Sequence, residues 1–237
     1  MTDERAPIAL QIKRRAQVRR RRRRVTVVVA VLVLAAVAAW IVAYSPALTV
    51  RQVRVEGASL VTSDEVVAAA AVGLGQPMVR VDGGAVAARV TAALPAVASA
   101  KVSRQWPGTL VIKVTERAIV YQVASGGGYD WVSADGTVFN NSTDAQPVPQ
   151  ASVALNDPSL LGDVAVVVQA LPADVATHVQ SMAAPTPDSI TIELDGDRQV
   201  VWGSADQSDL KAQVLVPLLN IPGHVYDVSA PSNPAVR

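Results

Sequence analysis

A single uninterrupted apolar stretch, from Val25 to Tyr44, constrains this chain more than any other part of it. The stretch contains 20 residues without a charge, proline or glycine. A helix rises about 1.5 Å per residue, so a helix of this length would cross the roughly 30 Å hydrocarbon core of a bilayer. In lipid the backbone must satisfy its own hydrogen bonds, which favours a helix although valine is abundant. We therefore expect one transmembrane helix over 25–44, with Trp40 and Tyr44 near the membrane interface.

Six consecutive arginines, Arg19 to Arg24, lie directly before this stretch. Under the positive-inside rule they keep the N-terminus in the cytoplasm and place the rest of the chain outside the plasma membrane. A cleaved signal peptide is one alternative, but its apolar region has about 7–15 residues and a small-residue cleavage site. The stretch here is longer and ends in bulky residues. A buried helix of a soluble protein is the other alternative, and the neighbouring arginines disfavour it.

Charge is divided unevenly between the two sides of the predicted span. Residues 1–24 carry ten of the 21 basic residues and two acidic ones, which leaves 11 basic and 18 acidic residues, a net charge of −7, beyond it. We interpret residues 1–24 as a basic cytoplasmic tail whose arginines contact anionic membrane lipid rather than nucleic acid. The chain has no cysteine, so an apolar core, not disulfides, must stabilise the outer part.

The residues after the span, from 48 to 117, have a β-α-α-β-β pattern. We predict a strand around Val53, a helix over Thr62–Ala71 that Gly73 and Gly75 end, and a helix from Asp82 to Pro95. A short extended link is expected over 76–81, and strands over Ala98–Ser103 and Leu110–Thr115. Threonine and aspartate are good helix N-caps, and apolar residues alternate along each predicted strand. Two helices can cover one face of such a three-stranded sheet and leave the other face polar.

Several short motifs occur in order within this part of the chain. They are Gly57, Gly75–Asp82 (GQPMVRVD), Leu94-Pro95, Arg104–Leu110 (RQWPGTL) and Val114–Arg117 (VTER). Together, directly after one span with a basic tail, they closely resemble the POTRA domain of the FtsQ/DivIB family of cell-division proteins. The family often has a proline soon after the Glu-Arg pair, where this chain has Ala118-Ile119. We interpret Glu116 and Arg117 as solvated or locally paired.

The next part, residues 118–229, is predicted to be rich in strands. Strands are expected at Ile119–Val123 and on both sides of two turns, Ala134-Asp135-Gly136 and Asp195-Gly196-Asp197. Helices are expected after Asp157 and Asp206, and a last strand over His224–Ser229. Residues 140–150 are predicted as a loop and residues 230–237 as a loose C-terminal tail.

This part also resembles, with less specific motifs, the β-rich domain that follows POTRA in the same family. The expected fold class is therefore α+β: a single transmembrane helix followed by a POTRA domain and a β-rich FtsQ-type domain. The many Ala, Val and Arg residues are typical of a GC-rich bacterium such as an actinobacterium.

No motif that we considered predicts catalysis. His178 and His224 are the only histidines, and neither has a metal ligand at a suitable spacing in the sequence. Gly-x-Ser-x-Gly and thiol nucleophiles are absent. Six carboxylates fall at turns and helix starts, where aspartate bonds the local backbone: Asp130, Asp135, Asp195, Asp197, Asp206 and Asp209. We predict no enzyme activity, no catalytic residue, no cofactor, no metal and no small-molecule substrate.

The resemblance implies a scaffold of the division machinery that recruits other division proteins, FtsB and FtsL, at the septum through the distal part of its β-domain. The positions that match here are Val225, Tyr226, Asp227, Val228, Ser229 and Ala230. We expect an exposed edge strand there, to which a partner adds its own strand. An ordinary closing strand without a partner is the alternative.

A second partner surface is predicted around Arg104 and Trp106 in the POTRA domain. The alternative is structural, because a Trp-Pro-Gly turn often packs its ring over the end of a sheet. Two other functions stay open for the chain as a whole: a membrane-anchored POTRA module of secretion or sensing, and a cell-wall enzyme.

Overall fold

The computed structural model describes residues 22–37, 40, 41 and 48–237. Residues 22–37, 40 and 41 are helical and exposed. The predicted cytoplasmic tail up to residue 21, and residues 38, 39 and 42–44 of the predicted span, lie outside the described residues. Within the described part of the chain, no helix is both long enough and apolar enough to cross a membrane.

Residues 48–117, the proximal unit, form a three-stranded sheet with two helices on one face. Its elements are β1 (Gln52–Glu56), α1 (Ser63–Ala70), a 3₁₀ turn (Met78–Arg80), α2 (Gly83–Ala93), β2 (Val97–Gln105) and β3 (Thr109–Glu116). β3 lies in the middle, parallel to β1 and antiparallel to β2. The predicted β-α-α-β-β order is confirmed.

Both helices of the proximal unit begin where their capping residues predict. Thr62 and Glu65 form a capping box at α1, in which each side chain bonds the other residue's backbone N–H. The Asp82 carboxylate accepts the N–H groups of Gly84 and Ala85 at α2. From β3, Leu110, Ile112 and Val114 point into a core with residues of both helices. The alternation along this strand therefore correctly predicted its buried face.

Two local predictions for the proximal unit were wrong. Helix α1 ends at Ala70 with Ala71 as its C-cap, close to the predicted bound, but Ala71 itself adopts the left-handed conformation (φ +49°) that Gly73 or Gly75 was expected to supply. The segment after Gln76, predicted as extended, contains the 3₁₀ turn with Met78 buried. Met78 belongs to the core of the proximal unit, so this turn is part of the packed structure and not a simple link.

Residues 118–237, the distal unit, form one nine-stranded mixed sheet. Its strands are β4 (Tyr121–Ser125), β5 (Gly128–Val132), β6 (Val138–Ser142), β7 (Gln150–Val153), β8 (Val179–Ala184), β9 (Ile190–Leu194), β10 (Arg198–Gly203), β11 (Val225–Asp227) and β12 (Ala235–Val236). Its helices are α3 (Pro158–Ala170), α4 (Ala173–Ala176) and α5 (Ser208–Leu218). The strand order is β12-β11-β10-β9-β8-β7-β4-β5-β6.

The core of the distal unit lies between this sheet and its helices. Trp202, on β10, is fully buried, and its indole N–H donates to the Ser208 hydroxyl at the start of α5 (3.2 Å). Tyr121, on β4, is also fully buried, and its hydroxyl donates to the Leu161 carbonyl of α3 (2.9 Å). Each large aromatic side chain thus pairs its polar atom with a helix while its ring fills the core.

The distal unit departs from the sequence predictions at three places. Residues 140–142 belong to β6, and β7 and β8 were not predicted. The N-cap of α5 is Gln207, with φ +55° and no side-chain capping bond, rather than Asp206. In the predicted loose tail, Ala235 and Val236 form β12 because they pair with β11.

Candidate partner-binding edge and domain junction

The predicted partner-binding residues, Val225 to Ala230, lie on and after β11, near one end of the nine-stranded sheet. β11 runs parallel to β10. The Val228 N–H donates to the Val201 carbonyl (3.0 Å), and the His224 carbonyl accepts from the Gln199 N–H (2.7 Å). One side of β11 is therefore hydrogen-bonded to β10 along its length.

β12 occupies the other side of β11. Val225 and Arg237 exchange two hydrogen bonds, each 2.9 Å long, and Tyr226 lies opposite Val236. β11 is thus an interior strand, and the prediction that residues 225–230 form the open edge was wrong. The physical reason is that the short segment after Pro234 supplies the backbone partners that β11 would otherwise lack. Contact between residues 225–230 and a partner stays a prediction.

The open edge at this end of the sheet is β12. Hydrogen-bonded and non-hydrogen-bonded pairs alternate along an antiparallel ladder. Because Val225 and Arg237 form a hydrogen-bonded pair, the next pair, Tyr226 with Val236, is non-hydrogen-bonded. The N–H and carbonyl of Val236 are therefore directed away from β11, where another strand can use them.

The side chains of β11 hold this end of the sheet together. Tyr226 is only 2% exposed, and its hydroxyl lies 2.9 Å from the Ile221 carbonyl and 3.0 Å from the Gly223 carbonyl. Val228 is fully buried. These two residues stabilise the edge from inside and do not offer side chains to a partner.

Polar side chains next to β11 are more accessible. The Asp227 carboxylate accepts the N–H and hydroxyl of Ser229 (3.0 and 2.7 Å), and the Arg237 guanidinium lies 3.5 Å from the same carboxylate. The Arg237 side chain is largely exposed. This edge therefore combines one outward backbone donor, one outward acceptor and an accessible ion pair.

Arg104 and Trp106 lie at one end of the proximal sheet. Arg104 Nε donates to the Met78 carbonyl (2.9 Å), and its Nη2 donates to the Val81 carbonyl (2.6 Å). Its guanidinium therefore fixes the segment that carries the 3₁₀ turn. The Trp106 side chain is half exposed in the turn between β2 and β3.

Glu116 stabilises the opposite end of the proximal sheet. Its Oε1 accepts the N–H groups of Ser59, Leu60 and Val61 at 2.8, 2.8 and 3.0 Å. Burial alone would raise the pKa of Glu116, but these three bonds to the charged form outweigh it and lower the pKa. The interpretation of Glu116 as solvated was wrong, because its partners are about 55 residues away and no local pattern reveals them.

Arg117 joins the two units. Its Nε donates to the Pro95 carbonyl of the proximal unit (2.9 Å), and its backbone N–H donates to the Ala96 carbonyl (2.8 Å). Its Nη1 lies 2.6 and 2.5 Å from the two carboxylate oxygens of Asp135 in the distal unit. We call this arrangement the Arg117 junction. A side chain interpreted as solvated or locally paired therefore bridges both units.

Neighbouring groups lower the pKa of Asp135, the carboxylate of the Arg117 junction. Burial raises the pKa of Asp135, but hydrogen bonds from Ser133, Arg117 and Thr137, together with the charge of Arg117, lower it to about 2. The Ser133 hydroxyl donates to Asp135 at 2.6 Å. Asp135 is thus ionised at neutral pH and available to Arg117 as an anion.

His178 has an acidic neighbour that sequence spacing did not reveal. Its Nδ1 lies 2.6 Å from Asp195 Oδ2, and Arg198 Nη2 donates to Asp195 Oδ1 (2.6 Å). Hydrogen bonds from Arg198 and His178 lower the pKa of Asp195. Asp195 and Arg198 form an ion pair at the β9–β10 turn, and His178 is hydrogen-bonded to the same carboxylate. Among residues 22–37, 40, 41 and 48–237, no three His, Cys, Asp or Glu residues are placed to hold a metal ion.

The chain also carries a Ser-x-x-Lys pattern at Ser208–Lys211, a motif typical of penicillin-binding enzymes that the sequence interpretation overlooked. Both side chains are buried. The Ser208 hydroxyl donates to the Ala205 carbonyl (2.7 Å), and Lys211 Nζ donates to the Ser204 carbonyl (2.8 Å). The serine proton is directed at the backbone, so this pattern stabilises the start of α5.

Charge separates the two units. The proximal unit has eight basic and five acidic residues, a net charge of +3, whereas the distal unit has three basic and thirteen acidic residues, a net charge of −10. The net charge of −7 beyond the predicted span is therefore due to the distal unit. The unit next to the predicted span is basic.

Two family models match the chain. The model described as POTRA domain, FtsQ-type, matches residues 48–117, and the model described as cell division protein FtsQ/DivIB, C-terminal, matches residues 121–223. These descriptions are of cell division proteins and not of enzymes.

Curated relatives agree with these models. Cell division protein FtsQ of Mycolicibacterium smegmatis is 40% identical over 85% of this chain and 61% of its own length. The same protein of Mycobacteroides abscessus is 35% identical over 83% of this chain and 64% of its own length. FtsQ of Streptomyces venezuelae is 38% identical over 83% of this chain and 77% of its own length.

The matched region thus spans less than two thirds of the length of the two mycobacterial relatives, and more than three quarters of the length of the Streptomyces relative. The matches to both domain models run in the order that the sequence resemblance implied. The chain therefore belongs to the FtsQ/DivIB family of cell division proteins.

Proposed function

We propose that this chain is a single-pass membrane scaffold of the division machinery, with its N-terminus in the cytoplasm and its two folded units outside. Residues 25–44 would form the anchor, and Arg19–Arg24 would set its orientation and contact anionic lipid. The folded units would bind other division proteins, of the FtsB and FtsL type, at the septum. Membership of a cell division family supports this role.

The observation that carries the proposal is the open edge at β12. This strand has only two residues and pairs on one side with β11. Val236 directs a backbone donor and acceptor away from the sheet, so an extended partner segment can extend the sheet by one strand. Main-chain hydrogen bonds would give such a complex its affinity, and neighbouring side chains its selectivity.

Side chains around β12 suit a polar, extended segment. Asp227 and Arg237 form an accessible ion pair next to the open edge. A partner strand lying along β12 would be able to pair with either charge, which would fix its register. Residues 225–230 would then contribute indirectly, because β11 pairs with β12 and holds it in place.

A proline substitution tests the edge directly. Val236→Pro removes the outward N–H without removing a bond to β11, since that N–H is not used within the sheet. Val236→Ala trims the side chain but keeps the N–H and is the matched control. We expect the proline variant to lose capture of FtsB- and FtsL-like proteins from the native host, and the alanine variant to retain it. Equal capture by both variants would contradict strand addition at β12.

Location and topology test the wider proposal. A fluorescent protein fused to the N-terminus should gather at midcell in dividing cells of the native host. Uniform membrane fluorescence would instead favour a POTRA module of secretion or sensing. Protease added to spheroplasts should degrade the units outside the membrane; their protection would refute the proposed topology.

A further inference from the structure

One end of the proximal unit receives the chain from the predicted span. The Val50 N–H donates to the Gln76 carbonyl (2.9 Å), and the Val50 carbonyl accepts from the Gly75 N–H (2.8 Å). The Arg51 N–H donates to the Gly108 carbonyl (2.8 Å). The first described residues of this unit are therefore held between the 73–80 segment and the 106–108 turn.

Large apolar side chains are exposed at this same end. Leu74 is 69% exposed, Val79 48% and Trp106 49%. Two other large apolar residues of the proximal unit are exposed, Leu60 and Val67. Leu60 lies at the opposite end, where its N–H bonds Glu116. Exposed apolar surface in the proximal unit is thus concentrated where the chain enters it.

Basic side chains surround this apolar surface. Arg51 directly precedes β1, Arg80 lies at the end of the 73–80 segment, and Arg104 lies near the end of β2; all three residues are exposed. Asp82 is the one acidic residue within 73–82 and 104–110, and its carboxylate caps α2. A half-exposed tryptophan, aliphatic side chains and arginines together form the composition that proteins present to the headgroup region of a membrane.

The length of the connecting chain places this end close to a bilayer. The predicted span ends at Tyr44, and four residue steps separate it from Leu48. An extended chain advances at most about 3.6 Å per residue, so the end of the span and Leu48 are no more than about 14 Å apart. The end that carries the exposed apolar residues is therefore the end held near the lipid.

We propose that this end of the proximal unit, formed by Leu74, Val79, Trp106, Arg51 and Arg80 and here called the membrane-facing lip, inserts into the headgroup region of the outer leaflet. The apolar side chains enter the interface, and the arginines contact lipid phosphates. The lip restrains the whole outer part against the bilayer, so that β12 is presented at a defined height and orientation.

The chemistry favours lipid over a protein partner at this place. A protein partner would have to enter a gap of roughly 14 Å or less beside the span, whereas lipid is already there. The arginines also match an anionic lipid surface, which attracts basic side chains within about a Debye length. The sequence analysis predicted that a protein partner binds the surface around Trp106. We instead assign this surface to membrane lipid.

The absence of cysteine from the chain makes a direct test possible. Single-cysteine variants Leu74→Cys and Val79→Cys of the full chain are labelled with the fluorophore NBD and reconstituted into vesicles of phosphatidylethanolamine and phosphatidylglycerol. Ile221→Cys, an exposed apolar position in the distal unit, is the matched control. Quenching by lipids that carry a spin label near the headgroup reports contact with the interface.

We expect NBD at positions 74 and 79 to be quenched at least about twofold more strongly than at position 221, with emission shifted to the blue. Replacing the anionic lipid by phosphatidylcholine, or substituting Arg80→Glu, should reduce the difference. Quenching at position 74 or 79 no stronger than at position 221 would overturn the inference. Circular dichroism melting of each variant verifies that the fold is retained.

This inference rests on the proposed membrane anchor, and the same vesicles separate the two. Alkaline carbonate removes peripheral proteins and leaves an inserted span in the membrane. Release of the chain by carbonate would refute the anchor and the lip together. Retention of the chain with unquenched labels at positions 74 and 79 would refute the lip alone.

Discussion

Breaking the Arg117 junction should weaken the coupling between the two folded units. Arg117 donates to the Pro95 carbonyl in one unit and pairs with both carboxylate oxygens of Asp135 in the other. Arg117→Ala removes both interactions at once. Asp135→Ala removes the ion pair but leaves the bond to Pro95, so the two variants and their combination form a double-mutant cycle.

The magnitude follows from the pKa of Asp135. A decrease from 3.8 to about 2 corresponds to about 2.4 kcal/mol at 1.36 kcal/mol per unit. The Asp135 side chain is 56% exposed, so solvent screening reduces the share of the ion pair to about 1 kcal/mol. The lost bond to Pro95 adds about 1 kcal/mol. We therefore expect Arg117→Ala to cost about 2 kcal/mol, with a coupling energy to Asp135 of about 1 kcal/mol.

Urea unfolding of the three variants measures these free energies, and the sign of the pH effect provides a second check. The pKa of Asp135 is lower in the folded state than its ordinary value of 3.8, so its stabilisation is present above pH 3.8 and is lost as the pH falls toward about 2. The wild type should lose this contribution in that window, and Arg117→Ala should lose less. A coupling energy below about 0.3 kcal/mol, or identical pH profiles, would refute the reasoning.

Three further substitutions test local features by thermal or urea unfolding. Gly57→Ala should destabilise the chain by about 2 kcal/mol or more, because Gly57 has φ +83° and a methyl group would meet the Val114 carbonyl oxygen. The control Gly73→Ala has open space around the added methyl group and should have little effect; equal losses of stability in both variants would contradict the predicted clash at Gly57. Glu116→Ala should cost about 1–2 kcal/mol by leaving three N–H groups without their acceptor, whereas exposed Glu56→Ala should stay within about 0.5 kcal/mol; equal effects would argue against the contact. Tyr226→Phe should cost about 1 kcal/mol through loss of its hydroxyl bonds to Ile221 and Gly223, and a change no larger than that of half-buried Tyr129→Phe would show these bonds to be unimportant.

Local signals predicted the proximal unit well. Thr62 and Asp82 act as N-caps through bonds within three residues, and the apolar alternation of β3 reflects a single buried face. These features depend on neighbouring residues, so a sequence displays them directly. The left-handed turn at Ala71 was missed because alanine gives no signal for that conformation.

Features that depend on distant pairing were not predictable in the same way. β8 has the sequence VQSMAA, without regular alternation, and it forms because β7 and β9 supply partners on both sides. β12 is two residues long and is defined only by its pairing with β11. The open edge of the sheet is therefore formed by residues 235–236 and not, as predicted, by residues 225–230. The Arg117 junction was missed for the same reason, since Pro95 and Asp135 are each about 20 residues away.

The nine strands of the distal sheet have a geometric consequence for assembly. Adjacent strands rotate by about 20–25° on average, so eight successive steps add up to roughly half a turn between β6 and β12. At that average twist, the axes of the two edge strands, β6 and β12, would differ in direction by roughly half a turn. Copies paired edge to edge would then follow a coil instead of a flat ribbon. A twist of that size would disfavour open-ended pairing of copies along the edges of their sheets.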